Sequence, residues 1–139
     1  MERVLAAASS VVFLVRNYAR SLLMQPMQPQ MGESFCVLPF RRCYGREIEA
    51  IYKAQTFRRL ALQIRILLSV AGSKFCLVAL DSKSHVRGFA LCYFKAHDAT
   101  HDSIHLGHTG IESTAQRCGI GRALLVHSVT SLSHNRSIK

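Results

Sequence analysis

At 139 residues the chain is the size of one domain, and with 49% apolar residues it can fill an ordinary globular core. Lys and Arg number 18 against 8 Asp and Glu, a formal net charge of +10, so the partners to expect carry negative charge: a polyphosphate cofactor, nucleic acid or anionic lipid. The basic residues lie singly or in pairs without interleaved aromatics, which argues against a nucleic-acid platform.

Residues 1–30 differ from the rest. They hold one acid, Glu2, and three arginines, Arg3, Arg16 and Arg20, around the apolar run 4–15. That run is too short to span a bilayer, so no transmembrane segment is expected. It has the length of a secretory signal's centre, but its basic start is thin and no small-x-small cleavage site follows. An Arg-bearing, acid-poor stretch also suits a mitochondrial presequence, and Arg16-Asn17-Tyr18-Ala19 resembles the Arg-x-Tyr site cut before Ala or Ser. Met24, Met27 and Met31 offer later starts. A start at Met31 would expose Gly32, but Cys36 stands where a myristoylation signal needs Ser or Thr. Residues 25–30, QPMQPQ, read as a linker, and the folded domain is expected over 31–139.

Within that domain, residues 35–40 read as a first strand with Pro39 at an edge or strand end. Ile48, Ile51 and Tyr52 recur at helical spacing, with Glu47, Glu49 and Lys53 toward solvent. A second amphipathic helix carries Phe57, Leu60, Ala61, Ile64, Leu67, Leu68 and Ala71 on one stripe, and Gly72 is expected to end it. The period then changes. Residues 75–80 and 86–94 read as strands joined by the polar turn DSKSH, a hairpin, and a second polar break leads into a strand over 104–111.

Five cysteines, Cys36, Cys43, Cys76, Cys92 and Cys118, form no C-x-x-C pair, and three lie inside apolar runs as small hydrophobes. A reducing, intracellular setting follows, mitochondrial or cytoplasmic. His97, His101, His105 and His108 with Asp98 and Asp102 would line one face of a helix and suit zinc there. Gly107, Gly110 and the alternation of Ile104, Leu106 and Ile111 favour loop then strand instead, so no metal is expected.

The stretch IESTAQRCGIGRALL, residues 111–125, carries the chemistry. A turn delivering Gly119 and Gly121 into a helix start leaves N–H groups without intrahelical partners, aimed at one spot at the positive end of the dipole. That spot suits a phosphate. A Walker loop needs Lys and a hydroxyl after its last glycine, where Arg122 and Ala123 stand, and a dinucleotide fingerprint needs a small residue where Leu124 stands. Cys118, beside Arg117 at a helix start, has the setting of a lowered thiol pKa, and a covalent role for it is the less economical reading.

Gln116-x-x-Gly119-x-Gly121, with Ile111 five residues ahead, resembles the acetyl-coenzyme A signature of the GNAT superfamily of N-acetyltransferases. The order of elements over residues 35–132 is similar to the first two-thirds of that fold. The resemblance implies an α+β domain whose central, mostly antiparallel sheet is flanked by helices. It implies transfer of an acetyl group from acetyl-CoA, the co-substrate, to an amine, on a small molecule or a protein, by direct attack on the thioester. The backbone amides of Arg117, Cys118, Gly119, Ile120 and Gly121 would hold the pyrophosphate, Ile111 and its neighbours the pantetheine through their main chain, and Arg117 and Arg122 would add charge. The family's histone-acetyltransferase branch places a glutamate base eleven residues before the signature glutamine, which is His105 here, a residue of ordinary pKa near 6.5. Glu112 and His108 are its rivals, expected on the opposite strand face.

The chain departs from the pattern beyond residue 132, where seven residues remain and the family continues with further strands and a helix that brings a tyrosine general acid. The strand over 104–111 is thus expected to keep a bare edge, to be completed by a second copy or another partner. The alternative is a catalytically silent module that binds CoA or a protein through that edge.

Overall fold

The computed structural model describes residues 2–32, 34–95 and 104–133. A five-stranded antiparallel sheet runs in the order β1 (Gln30–Met31), β2 (Cys36–Pro39), β3 (Cys76–Leu80), β4 (Val86–Tyr93), β5 (His105–Ile111). Every residue of β3 is buried, so the sheet is covered on both faces. Gly88 shows which helix covers which face: a Cβ there would meet Ile120 and Leu124 of α4 (Ile120–Ser133), whereas one on Gly110, paired with the next residue Phe89, would meet Ile51 and Gln55 of α2 (Gly45–Thr56). Neighbouring strand residues point to opposite faces, which places α4 on one side and α2 on the other.

Of the stretch 1–30, which composition sets apart as leader and linker, residues 2–30 are built into this fold. Glu2–Ser21 form helix α1, whose Phe13 is buried edge-to-face against Tyr93, their centroids 5.1 Å apart. Asn17, fully buried, extends the sheet's hydrogen bonding: its Nδ2 donates to Phe94 O at 2.8 Å and to Phe13 O at 2.9 Å, and its Oδ1 accepts Phe94 N–H at 2.8 Å. Every polar atom of the buried amide is satisfied, so its burial carries no desolvation penalty of an unpaired group. Ser10 bonds Gln63, and Lys74 Nζ donates to Ser21 O, so α1 runs parallel to α3 (Leu62–Phe75). Beyond it Met24 and Met27 are buried and Met27 N–H donates to Ser73 O at 2.9 Å. The polar, proline-bearing stretch after α1 thus follows α3 and reaches His127 of α4, which hydrogen-bonds the Gln28 carbonyl.

The helix expected to end at Gly72 breaks one residue earlier, at Ala71 (φ −148°), and a further helical segment runs on to Phe75 across that kink. The glycine serves packing: a Cβ at Gly72 would lie 2.2 Å from Phe40 Cδ1. The Asp81–His85 connection is the expected hairpin turn, with Asp81 Oδ1 accepting the N–H groups of Lys83 (2.9 Å) and His85 (3.0 Å). These bonds, the one from His85 foremost, lower the Asp81 carboxyl below its ordinary range. Pro39 ends β2, beyond the two residues that β1 covers.

Candidate functional site

The glycine turn lies where β5 hands the chain to α4. After a single 3-10 turn, Ser113–Ala115, Arg117 and Gly119 both take left-handed backbone (φ 66° and 83°). Two such residues flanking Cys118 fold the chain back sharply, and the second tolerates the conformation because it has no Cβ. Gly119 O accepts Ala123 N–H at 3.0 Å, which makes Gly119 the cap of α4 and leaves the amides of Ile120, Gly121 and Arg122 without an intrahelical acceptor. A Cβ built on Gly119 meets nothing within 4 Å, so the turn is open at that residue. Gly121 has a different duty: a Cβ there would lie 2.7 Å from Ile111 Cδ1, so the glycine lets the helix approach β5. Ile120 turns its side chain into the core, whereas Arg117 and Arg122 are exposed and form no ion pair with a described residue. Open space, uncapped N–H groups, two unpaired guanidinium groups and no acid in the first turn of α4 fit a pyrophosphate.

Glu112 N–H donates to Arg87 O at 2.8 Å, so by the alternation of an antiparallel ladder Thr109 and Ile111 direct their amide groups away from β4. Ile111 O is already engaged, accepting from Gln55 Nε2 and, at 3.5 Å, from Gln116 Nε2. The signature glutamine thus braces the strand end, and main-chain contacts to a pantetheine arm would fall to Thr109 and to Ile111 N–H. Beside this point a cleft of about 440 Å³ lies between α2 and the strand ends, lined by Glu47, Ile51, Gln55, Ile111, Glu112 and Gln116. Glu47 does not face it freely, since its Oε2 accepts Val86 N–H at 2.8 Å.

The three candidate bases sit differently. Glu112 is clamped: Arg87 Nη1 lies 3.1 Å from its Oε2 and Thr114 Oγ1 donates to its Oε1 at 3.0 Å. Both of its oxygens are thus engaged within the chain. His108 is half-buried between two tyrosines, its ring 5.3 Å from that of Tyr52 and 5.9 Å from that of Tyr93. Burial lowers its pKa below 6.5 and so keeps the imidazole neutral, while burial, then the neighbouring Tyr52, raises the Tyr93 hydroxyl above 10.

His105 and His108 lie on the same sheet face, not on opposite ones. Leu91 pairs with His108 but Cys92 pairs with Leu106, so Gly107 is an extra residue in β5, a bulge that resets the alternation and sets His105 opposite Tyr93. The glycine is required there, because a Cβ would lie 1.9 Å from the Tyr93 ring. Of the proposed metal set, His97, Asp98, His101 and Asp102 lie outside the described residues. Among the cysteines, Cys76 and Cys92 are buried, and burial pushes the Cys92 thiol up to about 11 and that of Cys76 higher still. Cys118 is exposed in the turn, its Sγ 3.8 Å from Gln116 O.

Sequence reasoning missed Tyr52 and Tyr93 as the walls around His108, Gln55 as the brace on Ile111, and Arg87 as the clamp on Glu112. Only a strand register could have supplied the tyrosines, and the bulge that fixes it has no sequence signal beyond Gly107.

No family profile matches the chain, and no curated protein sequence is similar to it. Solved structures are similar in fold. Naa50 of Arabidopsis thaliana, in complex with the bisubstrate analogue CoA-Ac-MVNAL, superposes with a TM-score of 0.62 at 15% identity, over 76% of this chain and 69% of that one. Diaminobutyrate acetyltransferase EctA of Paenibacillus lautus, in complex with L-2,4-diaminobutyric acid and coenzyme A, gives 0.56 at 18% identity, over 76% of this chain and 60% of that one. A GCN5-related N-acetyltransferase of Kribbella flavida gives 0.54 at 17%, over 72% of this chain and 66% of that one. The aligned part thus spans between three-fifths and seven-tenths of these proteins. With an antiparallel sheet, helices on both faces and a glycine turn between its last described strand and α4, the chain has the fold of the GNAT N-acetyltransferases.

Proposed function

We propose that this chain transfers an acetyl group from acetyl-CoA to an amine. The observation that carries the reading is the start of α4, where Arg117 and Gly119 turn left-handed, three amides lack an intrahelical acceptor and the space at Gly119 is open. Acetyl-CoA supplies the acetyl group as an activated thioester. The chain's part is to hold the phosphates at the α4 amides and to take a proton from the attacking ammonium, since only a neutral amine attacks. His108 suits that step, because its burial keeps it deprotonated near neutral pH, and His105 shares its face. Tyr93, kept protonated by burial and lying beside His108, would return a proton to the leaving thiolate.

Calorimetric titration of the whole chain with acetyl-CoA tests this, with Gly119→Glu in parallel. Gly119 is the better variant of the two glycines, because Gly121→Glu would also collide with Ile111. Micromolar binding lost in a Gly119→Glu protein of unchanged circular dichroism supports the reading. Absence of binding by folded wild-type protein removes it.

A second reading has its own observation. Among the described residues β5 has no strand on its outer side, and Leu106, Leu125, Val126 and Val129 are exposed around it. On that reading the chain is a catalytically silent module whose open edge docks a second copy or another protein. A monomer that binds acetyl-CoA and acetylates an amine separates the two.

A further inference from the structure

A cavity of about 520 Å³ opens on the other flank of α2, between it and α3. Glu47, Ile51 and Gln55 line the cleft beside Ile111, whereas Gly45, Arg46 and Glu49 line this second space. Its apolar wall is Phe40, Leu60 and Leu68. Four guanidinium groups surround it, those of Arg42, Arg46, Arg59 and Arg65, against the single carboxylate of Glu49.

Two of the four are braced by the backbone. Arg42 Nε donates to Ser69 O at 3.1 Å and Arg65 Nε to Leu60 O at 3.2 Å. Arg65 Nε also stands 3.8 Å from Glu49 Oε1, which offsets that carboxylate. Arg46 and Arg59 form no ion pair with a described residue. A 3-10 turn, Arg42–Tyr44, leads straight into α2 at the same place, and Gly45 N–H donates to Arg42 O, so the arginines rather than the helix start supply the positive charge. Like charges gathered at one apolar-walled hollow repel one another, and among the described residues the one lining carboxylate, Glu49, paired with Arg65, offsets only part of that charge.

We propose that this cavity is a second anion site, which binds a phosphate monoester carrying an apolar body. The doubly charged head group would sit between Arg46 and Arg59, with Arg42 and Arg65 pre-ordered beside it, and the body would lie on Phe40, Leu60 and Leu68. The volume lies in the range of small-molecule sites. This site stands apart from the α4 turn and holds whether or not the chain transfers acetyl groups.

The test is a nitrogen-15 NMR titration of the full chain with phenyl phosphate, with inorganic phosphate as the second ligand. A Gly119→Glu background removes the α4 turn as a competing anion site. The expected result is shifts centred on the amides of Gly45, Arg46 and Ser69, weaker binding of inorganic phosphate, and a loss of about tenfold in affinity in each of Arg46→Gln and Arg59→Gln. Arg58→Gln, an exposed neighbour outside the cavity, should change nothing. Absence of binding, equal affinity for the two ligands, or an equal loss in Arg58→Gln would each overturn the proposal, the last by reducing it to diffuse positive charge.

Discussion

His108 illustrates how much one side chain's surroundings decide. Its sequence neighbours mark it only as a strand residue, while the structure lodges it between Tyr52 and Tyr93. Burial disfavours the imidazolium, so the folded pKa falls below 6.5. If this imidazole is the base, the deprotonated form is the active one and activity rises with pH through that lowered value. The acid limb of kcat/KM should then lie below 6.5, and His108→Gln should abolish the limb and lower kcat by about a hundredfold or more. Should His105→Ala have that effect while His108→Gln leaves the limb in place, the proton passes through His105. Sequence counting reached His105 by analogy, and Gly107 is why counting alone could not rank the two: a single extra residue moves every later side chain to the other face.

At the scale of elements, the apolar periods of α2 and α4, the later part of that of α3 and the hairpin of β3 and β4 were legible because each is a local pattern. The α3 stripe expected to start at Phe57 starts later: Phe57 ends α2 and α3 begins at Leu62, so Phe57, Leu60 and Ala61 lie outside it. What was not legible is where an element ends for a reason located elsewhere. Gly72 reads as a stop, yet its hydrogen is in place because Phe40 packs against it from another segment. A left-handed helix end does occur one helix earlier, at the close of α2, where Phe57 (φ 59°) donates its N–H to Lys53 O at 2.8 Å. A side chain in that conformation costs about 1 kcal/mol or more, and Phe57 is 90% exposed, so its ring offsets little of it. Phe57→Gly is therefore expected to stabilise the protein by about 1 kcal/mol, read as a higher midpoint of urea unfolding with an unchanged slope.

Across the whole molecule, the greatest distance between sequence and structure is at the start of the chain. Composition isolates residues 1–30, because an acid-poor, Ala- and Val-rich run followed by glutamines and prolines carries no sign of what it packs on. The packing depends on Phe13 and Asn17, which meet the end of β4. A presequence cut between Tyr18 and Ala19 would take both away and leave the N–H and C=O of Phe94 without partners. Each buried orphan costs about 1–3 kcal/mol, and the lost Phe13 contact adds to that. Protein beginning at Ala19 should therefore unfold at markedly lower urea than the full chain, and Asn17→Ala alone should account for about 2–4 kcal/mol of the difference. Equal stability of the two forms would mean that α1 is dispensable to the domain and free to act as a leader. A large loss would mean that the helix is part of the domain, and that any cleavage there is also an unfolding event.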